Sequence, residues 1–223
     1  MKIAVLYEDN HIIAVNKPSG ALAQGDKTGD IPLVEHVKAY VKKKYNKPGD
    51  VFIGIPHRLD RPTSGILLFA RTSKALARLN DMFKNKTIQK TYWAVVKNIP
   101  QKEEDTLVHY LLKNSQKNKS FAKKEAHGKA LRAELTYKLK AKSNTYCLLE
   151  VYPKTGRHHQ IRVQLSSIGC PIKGDTKYGF QRPNQDKSIH LHARRIEFIH
   201  PVSKEAIDIT APVPNDVVWK VFG

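Results

Sequence analysis

The residues of this 223-residue chain best suited to chemistry lie in one stretch, His57-Arg58-Leu59-Asp60-Arg61-Pro62-Thr63-Ser64-Gly65, which runs straight into the apolar segment Ile66-Leu67-Leu68-Phe69-Ala70. Pro, Thr, Ser and Gly form turns readily, so Asp60 reads as a loop residue held at the entrance of a strand. Arg58 and Arg61 lie close to it in sequence, and opposite charge lowers the pKa of an acid, so this carboxylate is expected to stay ionised. An ionised Asp can act as a nucleophile or general base, but not as a general acid near neutral pH. The same residues also suit an Asp that caps its own turn and pairs with Arg61. Ser64 lacks the Gly-x-Ser-x-Gly surroundings of a nucleophile elbow, which argues against a serine hydrolase. His57, His158, His159, His190 and His192 invite a metal reading, and His190 and His192 share the spacing of one strand face. No second short-range pair completes a zinc or di-metal pattern, so no metal is expected.

Stepping outward, the elements that must carry this loop follow from hydrophobic period. Ile66 to Ala70 is continuously apolar, as a strand buried on both faces near a sheet centre would be. Ile3 to Tyr7 and His11 to Val15, on either side of Asp9-Asn10, read as an opening hairpin. Leu33, Val37, Tyr40 and Val41 give a helix over 32–44 with a basic face. A second helix follows, with Ser73 as N-cap and Leu76, Leu79, Met82 and Phe83 as its stripe. Leu131 to Leu139 alternates strictly, a strand with one wet face, and Tyr146 to Tyr152 suits its antiparallel neighbour. A third helix runs from about His158, with Ile161, Leu165 and Ile168 as its apolar row and Gly169 as its stop. Arg162 lies one position off that row, from which a guanidinium can reach round the core edge to a carboxylate. Strands Arg194 to Ile199 and Ala206 to Thr210 close the chain. The periods switch without a clear break, so the chain reads as one domain over 1–223.

Composition sets the partner. Hydrophobic residues at 40% and charged residues at 26% are ordinary for a globular chain, but 39 Lys and Arg face only 20 Asp and Glu, a net charge of +19. A polyanion is the natural partner, and nucleic acid is favoured over a membrane surface because no segment is suited to lipid. The segment from Lys113 to Lys142 holds ten Lys or Arg and two Glu; it reads either as a solvated connection or as a basic loop or arm, around 113–130, that contacts phosphates. No apolar run approaches the ~18 residues of a membrane span, and the chain start meets acidic residues before any signal-peptide core. The cytosol is the expected location. Cys147 and Cys170 form neither a disulfide framework nor a Cys-x-x-Cys pair and are expected to be buried thiols.

His57-Arg58-Leu59-Asp60 followed by Thr63-Ser64-Gly65 resembles the signature of the RluA-type pseudouridine synthases, in which that Asp is catalytic. Lys90-Thr91-Tyr92-Trp93-Ala94 resembles the family's second motif, whose tyrosine stacks on the target base. Gly156-Arg157-His158-His159-Gln160-Ile161-Arg162 resembles its third, whose last arginine pairs with the catalytic Asp. Three motifs in family order are specific where one alone would be weak. The resemblance continues through Gly169 to Asp175, Tyr178-Gly179, Leu191-His192-Ala193 and His200-Pro201. Many members carry a small S4-type RNA-binding module in front, and the resemblance is to the catalytic domain alone, so a short form without that module is expected.

The resemblance implies a single α+β (mixed α/β) catalytic domain, with a long, largely antiparallel curved sheet flanked by helices and loops around a basic cleft. It implies a monomer acting on structured RNA, either tRNA or rRNA, without cofactor or metal. In the reaction the ribose C1′–N1 bond breaks, the uracil turns, and C1′ joins C5, with no net redox change. Asp60 would engage C1′ or C6, or remove a sugar proton. Tyr92 would hold the uracil on its ring, or is an ordinary core tyrosine of a strand. Arg162 would orient Asp60, or is a surface arginine that snorkels, and Arg58 would fill the stack vacated by the flipped uridine. Lys90 and Arg157 would touch phosphates at the rim, or are simply solvated charges. The competing reading is a non-catalytic basic RNA-binding module associated with ribosomes.

Overall fold

The computed structural model describes residues 1–25 and 29–222. Among these are ten strands and four α-helices, and every resolved strand register is antiparallel. The chain divides into two compact units, one of Met1–Lys90 with Ala193–Pro214 and the other of Thr91–His192 with Asn215–Gly223. The sequence periods do not mark this division.

The first unit opens on the expected hairpin, β1 (Ala4–Glu8) and β2 (Ile12–Lys17). Asp9 makes the turn by accepting from the backbone N–H groups of His11 and Ile12, each at 2.7 Å. Helix α1 (Leu33–Lys44) buries Leu33, Val34, Val37 and Val41 and leaves Lys42, Lys43 and Lys44 in its last turn, where they complement the helix dipole. Strand β3 (Ser64–Ala70) is buried at all seven positions and pairs with β2, as its continuous apolar run requires. It lies between β2 and β9 (Leu191–Ile199), and β10 (Ala206–Thr210) pairs with β9. Helix α2 (Ser73–Lys84) is capped not by Ser73 but by Thr72, whose hydroxyl accepts from Ala75 N–H at 3.1 Å. Thr72 holds extended backbone while Ser73 is already helical, so only the former can turn its oxygen onto the first free N–H groups. Leu79 and Ala75 are its fully buried positions, with Leu76, Met82 and Phe83 half-buried around them.

In the second unit, β4 (Gln89–Val96), β8 (Cys147–Pro153), β7 (Leu131–Lys142), β5 (Glu104–Asn114) and β6 (Lys119–Lys123) lie in that order. The 113–130 segment, expected as an open loop or arm, is partly folded. Residues 119–123 pair with β5, from Tyr110 opposite Lys123 to Asn114 opposite Lys119. Helix α3 (Gln160–Ser167) starts two residues later than the sequence suggests because His159 is left-handed, with φ 54°. Its stop falls where expected, with Ile168 as C-cap and Gly169 at φ 76°. Ile161 and Leu165 join a core with Leu135, Tyr137, Leu149 and Val151. Helix α4 (Val217–Lys220) is capped by Asp216 and buries Trp219.

Candidate active site

Asp60 sits in the turn before β3 and is half-buried; the turn closes with Thr63 N–H donating to the Asp60 carbonyl at 3.0 Å. The loop is gripped by the turn that follows β2. Lys17 is completely buried, and its Nζ donates to the carbonyl oxygens of Pro18 (3.0 Å), Arg61 (3.1 Å) and Thr63 (2.7 Å). Ser19 Oγ donates to the Pro62 carbonyl at 2.9 Å, and Gly20 N–H to the Arg61 carbonyl at 2.8 Å. Three acceptors match the three protons of an ammonium group, which favours the charged form of Lys17. Burial works the other way and pushes its pKa down to about 7, with Asp60's charge opposing the fall and Arg61's adding to it.

Two further features fix the loop. His57 Nε2 accepts from the backbone N–H of Leu68 at 3.0 Å, and its ring stacks on Phe83 with centroids 4.6 Å apart. Burial, with a smaller contribution from Lys90's charge, pushes the His57 pKa down to about 3, so this ring is a neutral acceptor rather than an acid or base. Gly65, opposite Lys17 in the β2–β3 register, has φ +112°, and a Cβ there would come within 2.3 Å of the Ala193 carbonyl oxygen. Only glycine permits that approach of the β9 backbone to the exit of the loop.

The two arginines near Asp60 differ. Arg58 is exposed. Arg61 is bound by Asp30, at 2.6 Å from Nη2, and by the Gly20 carbonyl, at 3.0 Å from Nε. Lys17 is a buried cation whose charge interacts with that of Asp60, and the sequence reading passed it over. Lys90 is half-buried, with its ammonium 5.9 Å from the centre of the Phe83 ring, and burial lowers its pKa. It is therefore less solvated than a rim phosphate contact would be.

In the second unit, Tyr92 lies on β4 opposite Val151 of β8 and packs, half-buried, against the core that holds Ile161. Arg162 is not at the core edge. It is buried to 5% exposure, and Nε and Nη2 donate to Asp175 Oδ2 at 2.6 Å and Oδ1 at 2.9 Å. This fork uses two of the five guanidinium N–H donors. Residues 160–165 are all buried, so α3 has no wet face there and a charged side chain must find its partner inside. Asp175 follows Gly174, whose φ of +84° and contacts with Asn184 and Ser188 exclude a side chain. The Tyr178 ring centre is 5.1 Å from the Arg162 guanidinium carbon, and Tyr178 Oη accepts from Ser120 N–H at 2.8 Å and lies 2.8 Å from His159 Nδ1. Arg157 is exposed, with its Nε on the Arg132 carbonyl at 3.1 Å. Asp175 and Tyr178, which the sequence reading included in the resemblance without giving them a role, are the neighbours of Arg162. Among the described residues, no group of three or more His, Cys, Asp or Glu side chains is placed to hold a metal ion.

The family description "RNA pseudouridylate synthase" matches residues 11–167, a span that includes Asp60, Tyr92 and Arg162. Ribosomal large subunit pseudouridine synthase C of Vibrio cholerae is 34% identical over 215 residues, covering 94% of this chain and 65% of that protein. The protein of that name from Buchnera aphidicola subsp. Baizongia pistaciae is 35% identical, with coverages of 97% and 68%. This chain thus spans about two thirds of the length of these relatives. Among solved structures, human RNA pseudouridylate synthase domain containing 4 matches with a TM-score of 0.80 at 22% identity, covering 95% of this chain and 89% of that one. Human RNA pseudouridylate synthase domain containing 1 matches at 0.73 and 22%, with coverages of 96% and 84%. These two show a shared fold. With the matched span and the extent of identity taken together, the chain belongs to the RNA pseudouridylate synthase family.

Proposed function

We propose that this protein isomerises uridine to pseudouridine in structured RNA. The observation that carries the proposal is the family match over residues 11–167, with Asp60 held at the entrance of β3 on a loop that Lys17, Ser19 and Gly20 bind through its backbone. A carboxylate fixed in this way meets a substrate without first ordering its loop, which lowers the entropic cost of the reactive geometry. Asp60 supplies the charged oxygen that engages the extruded nucleoside at C1′ or C6, or removes a sugar proton. The C1′–N1 bond breaks, C1′ bonds to C5, the C5 hydrogen leaves to solvent and N1 takes a proton. Tyr92 offers its ring to the uracil during the turn, and Arg162 is the cation for Asp60, with Asp175 as the anchor of that guanidinium. Arg58, exposed beside the loop, fills the vacated stack, and Arg157 contacts phosphate. The relatives are named for the ribosomal large subunit, which makes ribosomal RNA the first substrate to test and tRNA the second.

The test is to incubate the purified protein with unmodified ribosomal RNA and tRNA transcripts and map pseudouridine at nucleotide resolution. Pseudouridine at one or a few defined uridines is expected. RNA that binds but stays unmodified at every uridine, in both classes, would favour the binding-only reading.

A further inference from the structure

The sheet of the second unit carries an open face that the proposed chemistry does not use. Strands β5, β6 and β7 alternate cleanly. Leu107, Leu111, Ala133, Leu135 and Ser120 point to the buried side, where Val163 of α3 and Tyr178 pack. An antiparallel sheet with one covered face normally wets the other with polar side chains. Here the opposite parity brings Val108, Tyr110, Leu112 and Phe121 to the open face, with Leu112 directly opposite Phe121 and Tyr110 between Lys123 and Arg132. Val108 is 41% exposed and Phe121 42%. Lys119 holds its ammonium 5.8 Å from the centre of the Phe121 ring. The one acid within this part of the face, Glu134, is already matched by Arg132 at 2.6 Å and Lys154 at 3.3 Å. Aromatic rings on a sheet face, bordered by lysines, meet the two needs of unpaired RNA: a surface on which bases stack and cations for the phosphates between them.

We infer that the open face of β5–β6, centred on Phe121 and Tyr110 and bordered by Lys119 and Lys123, binds unpaired nucleotides of the RNA substrate at a distance in sequence from the target uridine. The inference rests on the proposed RNA-modifying function and adds to it a second contact that helps select the substrate. Charge complementarity names the occupant. A duplex would offer the lysines its phosphates but keep its bases from the rings, and a protein partner of ordinary surface would gain nothing from the lysine border.

The test compares wild type with Phe121→Ala, Phe121→Trp and the pair Lys119→Gln with Lys123→Gln. Two readouts are needed: affinity for a transcript with an unpaired loop against a fully paired duplex, and tritium release from C5-labelled uridine. Phe121→Ala should weaken binding of the looped RNA by roughly ten-fold, the scale of one lost stacking contact, while leaving duplex affinity and the slope of log affinity against log salt unchanged. Phe121→Trp should restore affinity, with its indole fluorescence quenched by the looped RNA. The lysine pair should reduce the salt slope by about two phosphate contacts. At saturating RNA the Phe121→Ala turnover should equal wild type. Wild-type affinity of Phe121→Ala for looped RNA would overturn the inference even with full isomerase activity. So would a sedimentation result in which Phe121→Ala only converts a dimer to a monomer, because the face would then belong to a second copy. Loss of the isomerase reading would instead appear as no tritium release from wild type, whatever the variants do.

Discussion

Three carbonyl oxygens facing three ammonium protons make Lys17 the residue on which the Asp60 loop rests. Lys17→Met keeps the bulk of the stem and removes the donors, leaving buried carbonyls short of a partner at roughly 1–3 kcal/mol each. Urea unfolding should show a loss of about 3 kcal/mol, and an unchanged midpoint would contradict this role. His57 gives a pH signature. Its folded pKa of about 3 lies below the usual histidine value of 6.5, so the unfolded chain binds more protons between those limits. The contribution of a neutral His57 is complete above pH 6.5 and is lost as pH falls towards 3. Thermal melts of His57→Gln should therefore depend less on pH across that window than those of wild type. Asp175→Asn would take from the buried Arg162 guanidinium the carboxylate it is forked to, which should cost about 3–5 kcal/mol in urea unfolding and, on the proposed function, most of the activity. The place of Asp60 in a turn at the entrance of β3 was legible because its neighbours are turn formers in a short window. Lys17 was not legible because its partners at Arg61 and Thr63 are backbone oxygens 44 and 46 residues away, which leave no mark on side-chain type. Arg162 was visible as a charge on an apolar helix, but the burial that makes Asp175 its partner comes from packing on both sides of α3.

At the scale of elements, period served well wherever one face or both faces are dry. The opening hairpin, α1, β3 and the β7–β8 pair stand where alternation or helical spacing puts them. Boundaries were less legible because caps depend on backbone angles rather than hydrophobicity. Thr72, not Ser73, caps α2, and left-handed His159 delays α3. Thr72→Ala should cost about 1 kcal/mol in thermal or chemical unfolding, while Ser73→Ala should change stability by only a few tenths. Strand β6 escaped notice because five residues dense in lysine and serine resemble a loop; it is held by pairing with β5 and by Ser120, which is buried and donates its N–H to Tyr178. Gly65→Ala tests the β3–β9 approach. The added methyl meets backbone that cannot move aside, so soluble yield and melting temperature should both fall sharply, whereas Gly20→Ala, also at positive φ but in open space, should fall less.

For the whole molecule, a charge of +19 makes affinity for RNA salt-dependent and does nothing to specify a reaction. Affinity should fall linearly on a log-log plot against salt for any RNA of sufficient length, and a flat plot would show that the basic surface is not used. On the proposed function, charge brings RNA to the protein, and Asp60→Asn is the variant that separates binding from isomerisation. The direct measurement is tritium release from transcript RNA labelled at C5 of uridine, because joining C1′ to C5 expels that hydrogen. Wild type should release label with time, and Asp60→Asn should release none while binding the same RNA with the same affinity. Label released by Asp60→Asn at the wild-type rate would contradict the account.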